Sequence, residues 1–294
     1  MAVSVGFDGS AESRYAVKVA AVEARLRKTT LQIVYSALMP YPRSGPQPIA
    51  DRGPTLDDQV MADMLGDIAE YARGEVGDIE VRADVIDSMT VAGTLIEQSR
   101  DADLLVVGRR GRGGFRGLLL GSTSSQVVKH SRCPVIVTGK RATASQARPH
   151  GRIVVGVDDT PLSQAALRFG FTEARLHGAD LMAVRAWQFE VPMVEVGAVA
   201  YRFDYRRAEE EAEASLGQVL AGWREDFPDV TVIPALRYGD ARAALLDASE
   251  GARMVVVASR GRGGLAGMLL GSTSHTVLHH AEVPVAVVNP RADR

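Results

Sequence analysis

Short apolar runs alternate with amphipathic stretches along the whole chain. Residues 3–8 read as a strand, and Ser10 can cap a helix whose buried stripe is Ala16, Val19, Ala20 and Leu26. A second strand over 31–37 precedes a loop holding Pro40, Pro42, Pro46, Pro48 and Pro54, and a helix follows over about 56–75. A strand near 80–86, a helix near 91–100, a strand at 104–107, a helix over 122–130 and a strand at 134–137 complete the series βαβαβαβαβ. The series starts again with strands near 153–158, 181–187, 230–237, 254–258 and 285–288. Thr160-Pro161 opens its first helix, with proline at the first helical position. Several strands are continuous Val/Leu/Ile runs, as in a parallel sheet covered on both faces, so the fold class is α/β.

The second series repeats the first at a constant offset of 150 residues. Gly6-Phe7-Asp8 returns as Gly156-Val157-Asp158, and Glu23-Ala24-Arg25-Leu26 returns unchanged as Glu173-Ala174-Arg175-Leu176. The stretches 109–124 and 259–274 share 12 of 16 positions, and Pro134 returns as Pro284. A period this long means two complete domains, expected over residues 1–140 and 151–294. The polar stretch 141–150 between them reads as a linker.

The 294 residues suit two domains, and 46% hydrophobic with 24% charged residues is ordinary globular composition. A net charge of -2 gives no global attraction to nucleic acid or anionic lipid. Cys133 is the single cysteine, so no intrachain disulfide forms. No run approaches the ~18 apolar residues of a membrane span. Asp8 interrupts what would be the apolar core of a leader, so a cytoplasmic location without membrane insertion is expected.

The sharpest chemical feature follows the fourth strand of each unit. Gly108-Arg109-Arg110-Gly111 is followed by nine residues and then by Gly121-Ser122-Thr123, which opens a helix. Glycines let amides approach a ligand and take positive φ, successive amides can form an anion nest, and free N–H groups at a helix start favour an anion. Ser122 and Thr123 add hydroxyls, and Arg109, Arg110, Arg112 and Arg116 add charge. The neighbouring Gly113 belongs to the same loop. In the second unit the corresponding candidates are Ala258, Gly261, Arg262, Gly263, Gly271, Ser272 and Thr273. The bland alternative is a surface loop with solvated arginines. A P-loop is excluded by the missing lysine, and a dinucleotide fingerprint by the loop's place after strand four rather than strand one. Asp8 and Asp158 end the first strands, where each can accept hydrogen bonds from a ribose or adenine or simply cap the next helix. Carboxyl ends of strands are where open α/β sheets bind ligands.

These residues resemble the universal stress protein family in its tandem, ATP-binding branch. Gly108, Gly111, Gly121 and Ser122 meet the family's Gly-x2-Gly-x9-Gly-Ser/Thr signature, with Gly6-x-Asp8 and Gly156-x-Asp158 ending the first strands. The resemblance implies two tandem Rossmann-like, adenine nucleotide α-hydrolase-like domains, each a five-stranded parallel sheet ordered 3-2-1-4-5. It implies adenine contacts near Ala37 and Trp187, and ATP as ligand with Mg²⁺ carried on its phosphates. It also implies pairing through fifth strands, hence an internal pseudo-dimer and a homodimer through fifth-strand edges. The implied role is regulation under stress or growth arrest. The second unit departs from the signature, since Ala258 replaces its first glycine. If that position needs positive φ, the methyl costs roughly 1–2 kcal/mol; with negative φ it is harmless unless it crowds a phosphate. The second site is expected to be the weaker.

Two functional classes follow: a regulator for which ATP is a bound effector, and a slow ATPase or phosphotransferase. Phosphoryl transfer needs metal-binding carboxylates, and the loop itself holds none, so the binding reading is preferred. His275, His279 and His280 read as an exposed helix face, Cys133 as a buried small hydrophobe, and Glu209, Glu210, Glu211 and Glu213 as a solvated helix face. Trp187 and Trp223 read as core or pocket wall, and nothing calls for nucleic acid.

Overall fold

The computed structural model describes residues 2–38, 56–112, 119–138, 151–188, 205–261 and 269–290. The proline-rich loop, Gly113, Arg116, Arg262, Gly263 and the join between the repeats lie outside the described residues. The chain divides into two compact units, Met1–Ala142 with Pro284–Arg294, and Thr143–Val283.

The first unit runs β1 (Ala2–Gly6), α1 (Ala11–Arg27), β2 (Thr30–Leu38), α2 (Leu56–Val76), β3 (Val81–Ser88), α3 (Val91–Gln98), β4 (Leu104–Val107), α4 (Ser122–His130) and β5 (Val135–Val137). Its parallel strands lie in the order β3-β2-β1-β4-β5. β4 is Leu-Leu-Val-Val and buried throughout, as a central strand covered on both faces must be. Ser10 caps α1 by accepting from the Ser13 amide at 3.1 Å. The helix buries Ala16, Val17, Ala20, Ala21 and Ala24, so small residues let it approach the strands closely. Val19 and Leu26, expected in that stripe, are only half-buried at its margins.

The second unit repeats the plan as β6 (Ile153–Gly156), α5 (Pro161–His177), β7 (Leu181–Trp187), α6 (Tyr205–Asp226), β8 (Val232–Tyr238), α7 (Ala241–Ser249), β9 (Met254–Ala258) and α8 (Ser272–His280). Its strands are ordered β9-β6-β7-β8. Thr160 caps α5, with Pro161 in its first turn. Trp223 is half-buried at the margin of the core: its ring stacks on Phe171 at 5.7 Å, and its Nε1 donates to Gln164 at 3.0 Å. The acidic stretch of α6 is an exposed face laced by the pairs Arg206–Glu210 and Arg207–Glu211.

The last strand, β10 (Val285–Val288), counts with the first unit and runs antiparallel to β5, with Ile136 opposite Ala286. Asn289, just beyond it, is buried and donates its side-chain amide to the carbonyls of Val128 (3.0 Å) and Ser131 (3.2 Å). Those carbonyls sit at the end of α4, where a helix leaves acceptors without partners. β5 is therefore flanked by β4 on one side and β10 on the other. β5 and β10 thus make, within the chain, the fifth-strand pairing that the tandem resemblance implies. Among the described residues, no helix is long and apolar enough to cross a membrane.

Candidate functional site

The register of the central strands sets the site. Val3 pairs with Leu104 and Val5 with Val106, so the carboxyl ends of β1 and β4 lie side by side. Asp8 leaves one and Gly108 leaves the other. Asp8 Oδ1 accepts from the Ser10 amide at 2.9 Å, a side-chain-to-backbone turn, while Oδ2 accepts from the Arg112 amide at 2.9 Å. Ser10 is the cap of α1, so Asp8 has a different job: it ties the turn after β1 to the loop after β4. An ionised carboxylate offers about four acceptor sites, which leaves room for a further donor at this half-buried group.

Space explains the loop glycines. The expectation of positive φ is not met: Gly108, Gly111, Gly121, Gly261 and Gly271 all lie outside the left-handed region. A Cβ on Gly111 would instead fall 2.3 Å from Asp8 Oδ2, and one on Gly261 would fall 2.7 Å from Asp158 Oδ2. A Cβ on Gly108 would press on the backbone of Glu12 and of Arg110 at 3.2 Å, a tight contact. Ala258 at the equivalent place keeps an ordinary backbone, so the strain argument for a weaker second site does not apply. Among the described residues of the first site, Gly9 is the one glycine with positive φ (+78°), and the Arg112 guanidinium lies over it.

The helix that follows the loop starts open. Gly121 is the N-cap of α4 and Gly271 that of α8, and neither helix has a side-chain cap. By contrast, α1, α3, α5 and α7 are capped by Ser10, Thr90, Thr160 and Asp240. The first amides of α4 and α8, from Ser122, Thr123, Ser272 and Thr273, thus take no cap from the side chain of the N-cap residue, and they lie at the positive end of the helix dipole. Each opening is bolted to its loop twice. The Gly121 amide donates to Arg109 O (2.9 Å) and Ser124 Oγ to Gly108 O (2.7 Å). The Gly271 amide donates to Ser259 O (2.7 Å) and Ser274 Oγ to Ala258 O (2.6 Å). These two serines were not singled out from the sequence, although both lie inside the repeated stretch.

A second carboxylate reaches the first loop. Glu12, in the first turn of α1, accepts from the Arg110 amide. Its charge faces Arg109, whose side chain is buried; burial lowers the guanidinium's pKa, and Glu12 acts to raise it. The sequence reading recognised Asp8 alone as an acid at this site. The available signal was a paired departure between the repeats: Glu12 and Arg109 are replaced by Leu162 and Ser259. Burial alone would push the Asp8 carboxyl up, but hydrogen bonds from Ser10, Arg112 and Ser13 prevail and hold it below the ordinary value.

In the second unit, Asp158 Oδ1 accepts from the Thr160 amide at 2.9 Å, and Asp158 N donates to Ser163 Oγ at 3.0 Å, as Asp8 does with Ser10 and Ser13. Asp159 stands where the first unit has Gly9 and forms an ion pair with Arg185 of β7 at 2.7 Å.

The remaining candidates separate. Gly6 and Gly156 are packing glycines, since added Cβ atoms would meet Leu95 at 2.9 Å and Leu245 at 3.1 Å. Ala37 lies near the carboxyl end of β2, half-buried and paired with Asp87. Trp187 ends β7 with its ring edge-on to Tyr238 at 5.2 Å. His275 and His279 stack at 4.1 Å on α8, with His275 exposed. Cys133 is buried.

The model of the universal stress protein family matches residues 1–139 and again residues 150–289. The chain is similar to universal stress protein Rv2005c of Mycobacterium tuberculosis, at 37% identity over 97% of this chain and 96% of that one. It is similar to universal stress protein Rv2623 of the same organism, at 34% identity over 98% and 96%. Among solved structures, a universal stress protein from Archaeoglobus fulgidus shares the fold, with a TM-score of 0.68 at 18% identity over 98% of both chains.

Proposed function

The chain belongs to the universal stress protein family, and on that premise we propose that it is an ATP-binding regulator of a stress or growth-arrest response. ATP acts as a bound effector in each unit. The phosphates, carrying Mg²⁺, lie against the first amides of α4 and α8 and the adjoining glycine loops. The nucleoside lies toward Asp8 and Asp158, with the base near Ala37 and Trp187. Gly111, Arg112, Gly113, Gly121, Ser122 and Thr123 serve the first site. Gly261, Arg262, Gly263, Gly271, Ser272 and Thr273, with Ala258 before them, serve the second.

The observation that carries this reading is the pair of uncapped helix starts, each bolted to its glycine loop by the same two hydrogen bonds. Side chains cap the other helices whose starts are described, so helix starts without such a cap suit an external anion. Binding would stabilise the fold by mass action, which gives an effector its leverage.

A slow ATPase is the alternative. Glu12 supplies a second carboxylate beside the loop, but it is engaged by the Arg110 amide, which favours binding without turnover.

The test is to purify the protein without added nucleotide, denature it and identify the released molecule by chromatography. ATP in the supernatant is the expected result. Recovery of no nucleotide, together with no ATP binding by the purified protein, would reject the proposal. Turnover above a matched blank that disappears in Asp8→Ala would favour the enzyme.

A further inference from the structure

On the premise that phosphates bind the loop after β4, we propose that Glu12 sets the affinity of the first site: its carboxylate competes with the ligand for the loop amides, and the second site, lacking that carboxylate, binds ATP more tightly. In the first loop two alternate amides are already engaged by carboxylates of the protein. Arg110 N–H donates to Glu12 and Arg112 N–H to Asp8. A donor held by an ionised acceptor reaches a phosphate only by exchanging one charged partner for another, so little is gained. The carboxylate also repels an arriving anion across a partly desolvated site.

Arg109 lies within electrostatic reach of Glu12. A buried guanidinium needs a counter-charge, and the Glu12 carboxylate provides one. The second unit dispenses with both charges at once, because Leu162 and Ser259 stand at the two equivalent positions. Ser259 is as buried as Arg109, at 1% against 2% exposure, so the place in the fold is the same and only the charge is gone. Leu162, at the position equivalent to Glu12, has no acceptor to offer the Arg260 amide, the equivalent of that of Arg110. Its site keeps the Asp158–Gly261 contact, the open start of α8 and the Ser274 bolt. The methyl of Ala258 sits on an ordinary backbone and does not reverse this order.

Calorimetric titration with Mg-ATP of single-site chains tests the proposal. Gly271→Asp leaves the first site open and Gly121→Asp leaves the second. The isolated second site is expected to bind more tightly. Glu12→Gln in the first-site chain should tighten ATP roughly tenfold, and Leu162→Glu in the second-site chain should weaken it by a similar factor. If Glu12→Gln unfolds the unit, the pair Glu12→Leu with Arg109→Ser, which copies the second unit, takes its place with the same expectation. Unchanged or weaker binding in a folded variant overturns the role of Glu12 while leaving nucleotide binding intact. Absence of ATP binding in both single-site chains overturns the nucleotide reading and this proposal together.

Discussion

The carboxylate of Asp8 occupies the space that a side chain on Gly111 would need, since a Cβ there would stand 2.3 Å from Oδ2. The two residues are 103 positions apart in the chain and meet because β1 and β4 are neighbours. Gly111→Ala should therefore act through Asp8, forcing it off the Arg112 amide and disordering the loop. We expect ATP affinity at the first site to fall at least tenfold, as in Asp8→Ala, with little further loss in the double variant, because both changes break one unit. Gly261→Ala should be milder, because its Cβ would crowd Asp158 Oδ2 less closely, at 2.7 Å. Titration of the four variants decides it, and additive losses from Asp8 and Gly111 would contradict the coupling.

The hydrogen bonds to Asp8 carry a pH signature. Its folded pKa lies below the ordinary aspartate value, so the unfolded chain takes up the proton first as pH falls. The stabilisation is fully present above about pH 4 to 5 and is lost as pH drops through the folded pKa. Denaturant unfolding of the wild type and Asp8→Asn should differ at pH 7 and converge toward pH 3. A gap that stays constant across that range would assign the effect to packing instead.

Much of this was legible in the sequence, for identifiable reasons. Strands such as Leu104–Val107 are continuous apolar runs, and Ser10 and Thr160-Pro161 mark helix starts by local chemistry, so the element order needed no tertiary information. The role of the glycines was harder to read. Glycine serves either an unusual backbone or a close approach, and composition does not say which; at Gly111 it is the approach of Asp8. Glu12 was invisible as a site residue because its partner lies 98 residues away and strand order alone brings them together. Antiparallel pairing of β5 with β10 likewise depends on how the last strand is placed.

Lys28 ends α1 with φ at 54°, while Gly178 ends α5 at the equivalent position with φ at 57°. A residue with a Cβ is strained in that left-handed region, and glycine is not. Lys28→Gly should stabilise the first unit by about 1 kcal/mol, since the relief of strain exceeds the added freedom of the unfolded chain. Gly178→Ala should destabilise the second by a comparable amount. Thermal unfolding of each variant checks the pair, and a lower melting temperature for Lys28→Gly would refute the first half.

Cys133 should be chemically silent in the folded protein. Burial raises its thiol to about 11, against a partial opposing effect of the hydrogen bond with Ser131. At pH 8 almost none of it is thiolate, and the thiolate is the reactive form. A chromogenic disulfide reagent should leave the native protein unlabelled over minutes and titrate one thiol in denaturant. Rapid labelling of the native state would show that the segment between α4 and β5 opens far more often than its burial implies.

The open helix starts make the strongest test of why this site exists, because stability and binding should move in opposite directions there. Gly271 is the N-cap of α8, and a Cβ on it would meet nothing nearer than 3.5 Å. Gly271→Asp can therefore be accommodated, and its carboxylate can accept from the first-turn amides that now take no cap from the N-cap side chain. Asp is a better N-cap than Gly by a few tenths of a kcal/mol, and its charge adds a favourable interaction with the helix dipole, so a gain of roughly 0.5 kcal/mol is expected without ligand. The same carboxylate occupies the amides that a phosphate would use and repels it, so ATP binding at the second site should be lost. Unfolding in the absence of nucleotide and titration with Mg-ATP give the two readouts. A variant that gains stability and keeps its affinity would mean that the phosphates do not lie at the start of α8.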